Sequence, residues 1–180
     1  MNTNLFHSLV GKNIYFKALN TNDAEEIHNY TSDVDVSRFI GWKLMHTLNE
    51  TRDYIEVMLS RELAGTHLYA SIVLKSTQVI IGTAMIFNFD QSAKHAEIGY
   101  VFHKDYWGKG YGTAIVTLMN DFAFNSLNLH KLHANVTHAN IGSVRVLEKS
   151  GFELVGRLKD YYFIEERYYD ELFFEKLNSK

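Results

Sequence analysis

No cysteine and no proline occur in the 180 residues of this chain. The first absence excludes disulfides, thiolate nucleophiles and cysteine-rich zinc centres. The second excludes any cis-proline turn, where average usage of about 5% would give roughly nine prolines. A surplus of one charge is also lacking. Eighteen Lys and Arg against 21 Asp and Glu leave a formal net charge of -3. No nucleic-acid or anionic-membrane partner is implied by that balance. Long apolar runs are missing as well, none approaching the ~18 residues of a membrane span. Met1 to Gly11 has no basic start leading into an apolar stretch, so a secretory signal is not indicated and a cytoplasmic protein is expected.

What is present is an ordinary globular composition, 46% hydrophobic and 22% charged, enough for a large core without covalent staples. No repeat, low-complexity tract or linker divides the chain, which predicts a single domain over 1–180.

Hydrophobic periodicity sets the element order. Asn13 to Leu19 alternates as a strand, with Ile14, Phe16 and Ala18 on one face. Asn22 to Ser32 reads as a helix, with Asn22 and Glu25 spaced as a capping box. A second such pair, Thr47 and Glu50, opens a helix to about Ala64, with Ile55, Met58, Leu59 and Leu63 on one face and Gly65 as its stop. Strands follow at His67 to Lys75, Gln78 to Phe89 and His95 to Phe102, the first two joined by the short polar turn Ser76-Thr77. Gly110 to Ser126 is a helix with an apolar stripe of Ile115, Leu118, Met119 and Phe122. A strand at Lys131 to Thr137, a helix at Ile141 to Ser150 and two strands near Phe152 to Leu158 and Tyr168 to Lys176 complete the chain. The order β-α-α-β-β-β-α-β-α-β-β mixes hairpins with one β-α-β unit, which argues against a doubly wound sheet.

The segment Tyr106-Trp107-Gly108-Lys109-Gly110-Tyr111-Gly112-Thr113 lies between a predicted strand and a predicted helix. Its alternating glycines let the backbone turn sharply and approach a ligand closely. The first amides of the helix lack intrahelical partners and carry the positive end of its dipole, which suits a phosphate or pyrophosphate. The Walker spacing is absent. The Rossmann spacing fails because the third glycine arrives one residue early, at Gly112, and no acid follows the next strand to hold a ribose. A nucleotide-derived ligand that is not a dinucleotide remains.

Three stretches carry a family resemblance: Ala96-Glu97-Ile98-Gly99-Tyr100-Val101-Phe102, then Trp107 to Gly112, then Asn140-Ile141-Gly142-Ser143 onward to Gly151-Phe152. In order and spacing they resemble the GNAT superfamily of N-acetyltransferases, and within it the RimJ/RimL-like branch, whose known members acetylate ribosomal-protein N-termini. The resemblance implies a mixed α/β (α+β) fold, with a mostly antiparallel sheet of about seven strands flanked by about four helices. It implies acetyl-CoA as acetyl donor and no metal. By position it assigns Val101 and Phe102 to the pantetheine arm, Trp107, Gly108, Lys109, Gly110, Tyr111, Gly112 and Thr113 to the pyrophosphate, Asn140 to the pantetheine region, and Ser143 to the thioester sulfur. Trp107 stands where the superfamily has Gln or Arg. Glu165-Glu166-Arg167 stands where it usually has a glycine turn.

The implied reaction is amine attack on a thioester. It needs a neutral amine, a donor for the developing oxyanion, and support for the leaving thiolate. An α-amine has a pKa of roughly 7.7–8.0 and a lysine amine one near ~10.4, so a peptide N-terminus demands less of a base. Glu97 is the first candidate base and His103 the second. A backbone N–H near Val101 and Phe102 would serve the oxyanion, and Ser143, Tyr100, Tyr111 or a C-terminal Tyr the thiolate. Each residue has a plainer reading: Glu97 as a strand residue paired with Lys94, His103 as a strand-end polar group, Asn140 and Ser143 as helix caps. His130, His133 and His138 have no carboxylate at ligand spacing and read as solvated or packed side chains. Arg38, Phe39 and Trp42 are candidates for the acceptor wall, with core packing the equal alternative for Phe39 and Trp42. The scattered acids Asp33, Asp35, Glu165 and Glu166 do not decide the acceptor. A protein N-terminal α-amine leads. A small amine such as a polyamine, an aminoglycoside or an amino-acid analogue is the alternative, and a non-catalytic acetyl-CoA sensor is a third reading. Monomer and homodimer are both compatible with the sequence.

Overall fold

The computed structural model describes residues 3–40 and 42–179. Seven strands form one sheet: β1 (Ile14–Lys17), β2 (Leu68–Leu74), β3 (Ile80–Asp90), β4 (His95–Phe102), β5 (Lys131–Thr137), β6 (Glu153–Ile164) and β7 (Arg167–Leu177). Their order across the sheet is β1-β2-β3-β4-β5-β7-β6. Every neighbouring pair is antiparallel except β4 and β5. The expected mixed, mostly antiparallel sheet is present.

Helices cover both faces. On one side α1 (Thr3–His7), α5 (Tyr111–Asp121) and α6 (Ile141–Lys149) accompany a core that includes Phe6, Ile115, Met119, Leu147, Ile98 and Phe174. On the other, α2 (Ala24–Thr31) and α4 (Leu48–Leu63) bring Ile27, Tyr30, Ile55 and Met58 against Tyr69, Val73 and Val101. Each such buried side chain contributes about 1.5–3 kcal/mol relative to exposure. α3 (Val34–Ser37) leads into Phe39 and Ile40, which line both cavities described below.

The Thr47–Glu50 capping box forms as expected: Thr47 Oγ1 accepts from the Glu50 N–H, and the Glu50 carboxylate accepts from the N–H of Thr47. Other local expectations are corrected. Asn22 and Glu25 form no box. Asn20 accepts from the Asn22 N–H, a 3-10 turn covers Thr21–Asp23, and α2 begins after it. Leu63 is 91% exposed, because the buried face of α4 is set by Thr51, Ile55 and Met58. The five-residue α1 and four-residue α3 were not expected, being too short to show a period. Asp33 starts α3 by accepting from the N–H groups of Asp35 and Val36. The helix expected to run to Ser126 ends as α5 at Asp121, and a π turn over Phe122–Ser126 follows.

The parallel pairing of β4 with β5 covers three residues: His95 with Lys131, Ala96 with Leu132, Glu97 with His133. Beyond that point β4 runs on to Phe102 and β5 to Thr137 without pairing to each other. The sheet therefore opens as a wedge in its middle. A wedge leaves peptide groups unpaired, and buried peptide groups need partners. The site is built there.

Candidate active site

Peptide direction along β4 decides what the wedge offers. His103 N–H donates to the Ile81 carbonyl of β3. The Val101 carbonyl lies so close to Gly82 of β3 that a Cβ there would sit 2.1 Å from its oxygen. By the alternation of a pleated strand, Val101 turns its peptide toward β3, whereas Tyr100 and Phe102 turn theirs into the wedge. The Phe102 carbonyl accepts from Trp107 Nε1 at 3.1 Å. Trp107 thus serves as a strut for the strand end as well as a wall residue.

A cavity of about 670 Å³ lies on the α5–α6 side of the wedge. Its lining includes Phe102, Trp107, Gly108, Gly110, Tyr111, Gly112 and Thr113, with Arg145 and Lys149 of α6. Gly108 and Gly110 have φ of 70° and 83°, a region other residues enter at a cost. Gly110 caps α5 without a side chain, so no side-chain oxygen competes for the first amides of the helix. Gly112 has another role: a Cβ would meet Val146 Cγ2 at 2.7 Å, so it permits α5 and α6 to approach. Bare amides at a helix start and two cations make an anion site, and the residues fit the diphosphate of coenzyme A. Arg145 and Lys149 were not anticipated, since nothing local ties α6 to the glycine loop.

A second cavity of about 740 Å³ opens on the α2–α4 side. Its wall holds Trp42, Tyr54, Tyr69, Met85 and Phe87, and its carboxylates are Glu50, Glu97 and Glu171. Glu97 Oε2 accepts from Asn88 Nδ2 at 2.8 Å. A register irregularity in β3 between Phe87 and Asp90, with Asn88 at φ 51°, turns that amide back over the carboxylate. His133 Nε2 stands 3.6 Å from the same oxygen. Glu171 is 4% exposed and accepts from the Tyr162 hydroxyl at 2.5 Å. Burial first, then Glu171, raises the Tyr162 phenol well above its ordinary value. Burial, with Arg61 adding, lowers the His67 imidazole, which stacks on Tyr69 and Phe87.

The two cavities share Phe39, Ile40, Tyr100, Asn140 and Ser143. Asn140 Oδ1 accepts from the Ser143 N–H at 3.2 Å as the cap of α6, which leaves its amide N–H groups for a ligand. Tyr100 donates to the Ser143 carbonyl at 3.5 Å. Burial pushes the Tyr100 phenol up to about 12, so it remains a proton donor at working pH.

Other expected site residues fall as follows. Arg38 lines the first cavity and pairs with Glu165 at 3.1 Å. Phe39 stacks edge-on against Tyr169 and Trp42 against Tyr54. Lys109 does not line either cavity; its Nζ lies 5.4 Å from the Tyr106 ring centroid. Nor does His103, whose Nδ1 accepts from the Asp105 N–H and caps a 3-10 turn.

A strand edge bared beside a helix-start anion site, with a second cleft meeting it, is the architecture of an acyl-coenzyme A-dependent transferase. The profile of the acetyltransferase (GNAT) domain matches residues 13–153, and the chain belongs to that family as an acetyl-coenzyme A-dependent N-acetyltransferase. The N-acetyltransferase p20 of Bacillus licheniformis is 30% identical over 173 residues, which span 96% of this chain and 97% of that protein. The ribosomal-protein-S5-alanine acetyltransferase of Vibrio fischeri superposes with a TM-score of 0.82 at 23% identity, covering 96% of this chain and 97% of its own. Spermidine N-acetyltransferase of Vibrio cholerae, solved with coenzyme A and spermine, has the same TM-score and identity, covering 93% and 97%. Both share the fold. Among the described residues no helix is long and apolar enough to cross a membrane.

Proposed function

We propose that the acceptor is the α-amine of a polypeptide N-terminus. The observation that carries this reading is the charge pattern of the 740 Å³ cleft. Of its three carboxylates, Glu50 is committed to the cap of α4, accepting from the N–H groups of His46 and Thr47. Lys43 and Arg61 line the same cleft. That leaves Glu97 and Glu171 for one ammonium, beside a wall of aromatic and sulfur-bearing side chains. A polyamine carries several ammonium groups at neutral pH and would meet two cations. A peptide carries one amine followed by a backbone and a side chain that the apolar wall can take. The likeness to the S5-alanine enzyme supports the same reading. The likeness to the spermidine enzyme names the competitor.

In this reading acetyl-coenzyme A supplies an activated acyl carbonyl. Tyr100 and Phe102 peptides, Asn140, and the first amides of α5 hold it, and Arg145 and Lys149 balance its phosphates. Glu97 takes the proton from the amine, directly or through water. An N–H of the bared β4 edge faces the carbonyl oxygen. The Tyr100 phenol and the Ser143 hydroxyl stand where the sulfur departs and donate to it. The test is thiol release from acetyl-coenzyme A across alanyl- and seryl-initiated peptides, spermidine and an aminoglycoside. Peptide-dependent release at low acceptor concentration supports the proposal. Preference for spermidine overturns the acceptor. Tight cofactor binding with no amine-dependent release would indicate a sensor.

A further inference from the structure

Glu97 and His133 are the last facing pair of the β4–β5 ladder, at the vertex of the wedge. His133 Nε2 lies 3.6 Å from Glu97 Oε2, and the same oxygen accepts from Asn88. The carboxylate side chain is 14% exposed and the imidazole 26%. The base is thus covered by the cleft that an acceptor fills, while its neighbour reaches water. Closing 3.6 Å to a hydrogen bond of about 2.9 Å takes a small ring movement or one bridging water, and catalytic hydrogen bonds are often long before substrate binds.

We propose that His133 is the proton outlet of Glu97. The inference rests on Glu97 being the base. An N–H bond of the acceptor amine breaks as an O–H bond forms on Glu97. That O–H bond then breaks as an N–H bond forms on His133 Nε2, and the imidazolium releases a proton to bulk water. Charged and titratable groups face the ring from every neighbouring strand. Glu97 of β4 faces it on one side and Glu175 of β7 lies opposite it across the β5–β7 ladder, Glu175 being paired with Lys131 at 3.4 Å. His95 of β4 packs edge-on at 5.4 Å between centroids, with its Nε2 3.9 Å from Asp90. Tyr162 of β6 and Glu171 of β7 line the same cleft as Glu97.

The experiment compares wild type, His133→Gln, Glu97→Gln and the double variant, with the best acceptor among an alanyl peptide, a seryl peptide and spermidine. kcat is measured from pH 5.5 to 9 with and without added imidazole. Coenzyme A affinity and melting temperature verify the fold, and His133→Asn replaces His133→Gln if the latter does not fold. The expected result is unchanged coenzyme A affinity and a kcat about tenfold lower in His133→Gln, most of it restored by imidazole. Glu97→Gln falls further, imidazole does not restore it, and the double variant is no slower. A wild-type kcat in His133→Gln beside an impaired Glu97→Gln overturns the outlet and leaves Glu97 as base. A loss in His133→Gln that imidazole does not restore also overturns it, assigning the ring a structural role. A wild-type rate in Glu97→Gln overturns the base itself, and the outlet with it.

Discussion

The carbonyl oxygen of Val101 occupies the place where a side chain on Gly82 would begin, 2.1 Å from an ideal Cβ. This contact lets β4 lean on β3 beyond the point where β5 has left it, and so fixes the edge proposed to face the cofactor. Gly82→Ala must push β4 backbone aside, a strain of about 1–3 kcal/mol. The expected outcome is a lower unfolding midpoint together with weaker coenzyme A binding, measured by denaturant titration and calorimetry. Normal affinity in a destabilised but folded variant would detach the edge from cofactor binding.

Gly110 holds φ at 83° with open space beside it, so a side chain there collides with no protein atom and enters the anion cavity instead. Gly110→Val should add about 1–3 kcal/mol of backbone strain and abolish coenzyme A binding. Gly112→Ala differs in kind, because its Cβ meets Val146 at 2.7 Å. It should cost stability first. Paired measurements of melting and coenzyme A affinity on the two variants separate a ligand contact from a packing contact.

Tyr100→Phe removes the hydroxyl between the two cavities and leaves the ring. Turnover should fall about tenfold, roughly 1.4 kcal/mol of transition-state stabilisation, with coenzyme A affinity kept. The sign of the pH effect follows from the raised phenol. A group protonated up to about 12 contributes no falling limb between pH 6 and 10. The wild-type profile should therefore show only the alkaline rise from acceptor and base, and the variant should keep that shape at a lower plateau. A new alkaline fall in wild type alone would show that the phenol ionises earlier.

The hairpin tip joining β6 and β7 offers a stability test at residues that line neither cavity. Glu165 and Glu166 both have positive φ, 49° and 62°, in a two-residue connection between the paired Ile164 and Arg167. Such turns favour Asn-Gly because both central residues are left-handed. Glu166→Gly should raise stability by about 0.5–1 kcal/mol and the melting temperature by about 1–4 °C, with activity unchanged. Glu165 is the wrong choice for this test, since it pairs with Arg38.

Local pattern carried most of the architecture. β4 and β5 coincide with the alternating runs His95 to Phe102 and Lys131 to Thr137, and the glycine loop announced its strand-to-helix position. The long-range encounters were hidden. Glu97 and His133 meet because a parallel ladder stops after three pairs, and no spacing in the chain encodes where pairing ends. The same holds for Tyr162 against Glu171, and for Arg145 and Lys149 beside the loop. Asn22 and Glu25 matched a capping box that Asn20 pre-empted. His103 ends a strand as expected, and its Nδ1 accepts from the Asp105 N–H of the next turn.

The partition formed by Tyr100, Asn140 and Ser143, with one chamber on either side, has a kinetic corollary. On the proposed function each reactant takes its own chamber, so both can be aboard before anything happens. Initial-rate lines for this enzyme should then intersect in double-reciprocal plots instead of running parallel, and the spent thiol should be able to leave while the acylated amine is still docked.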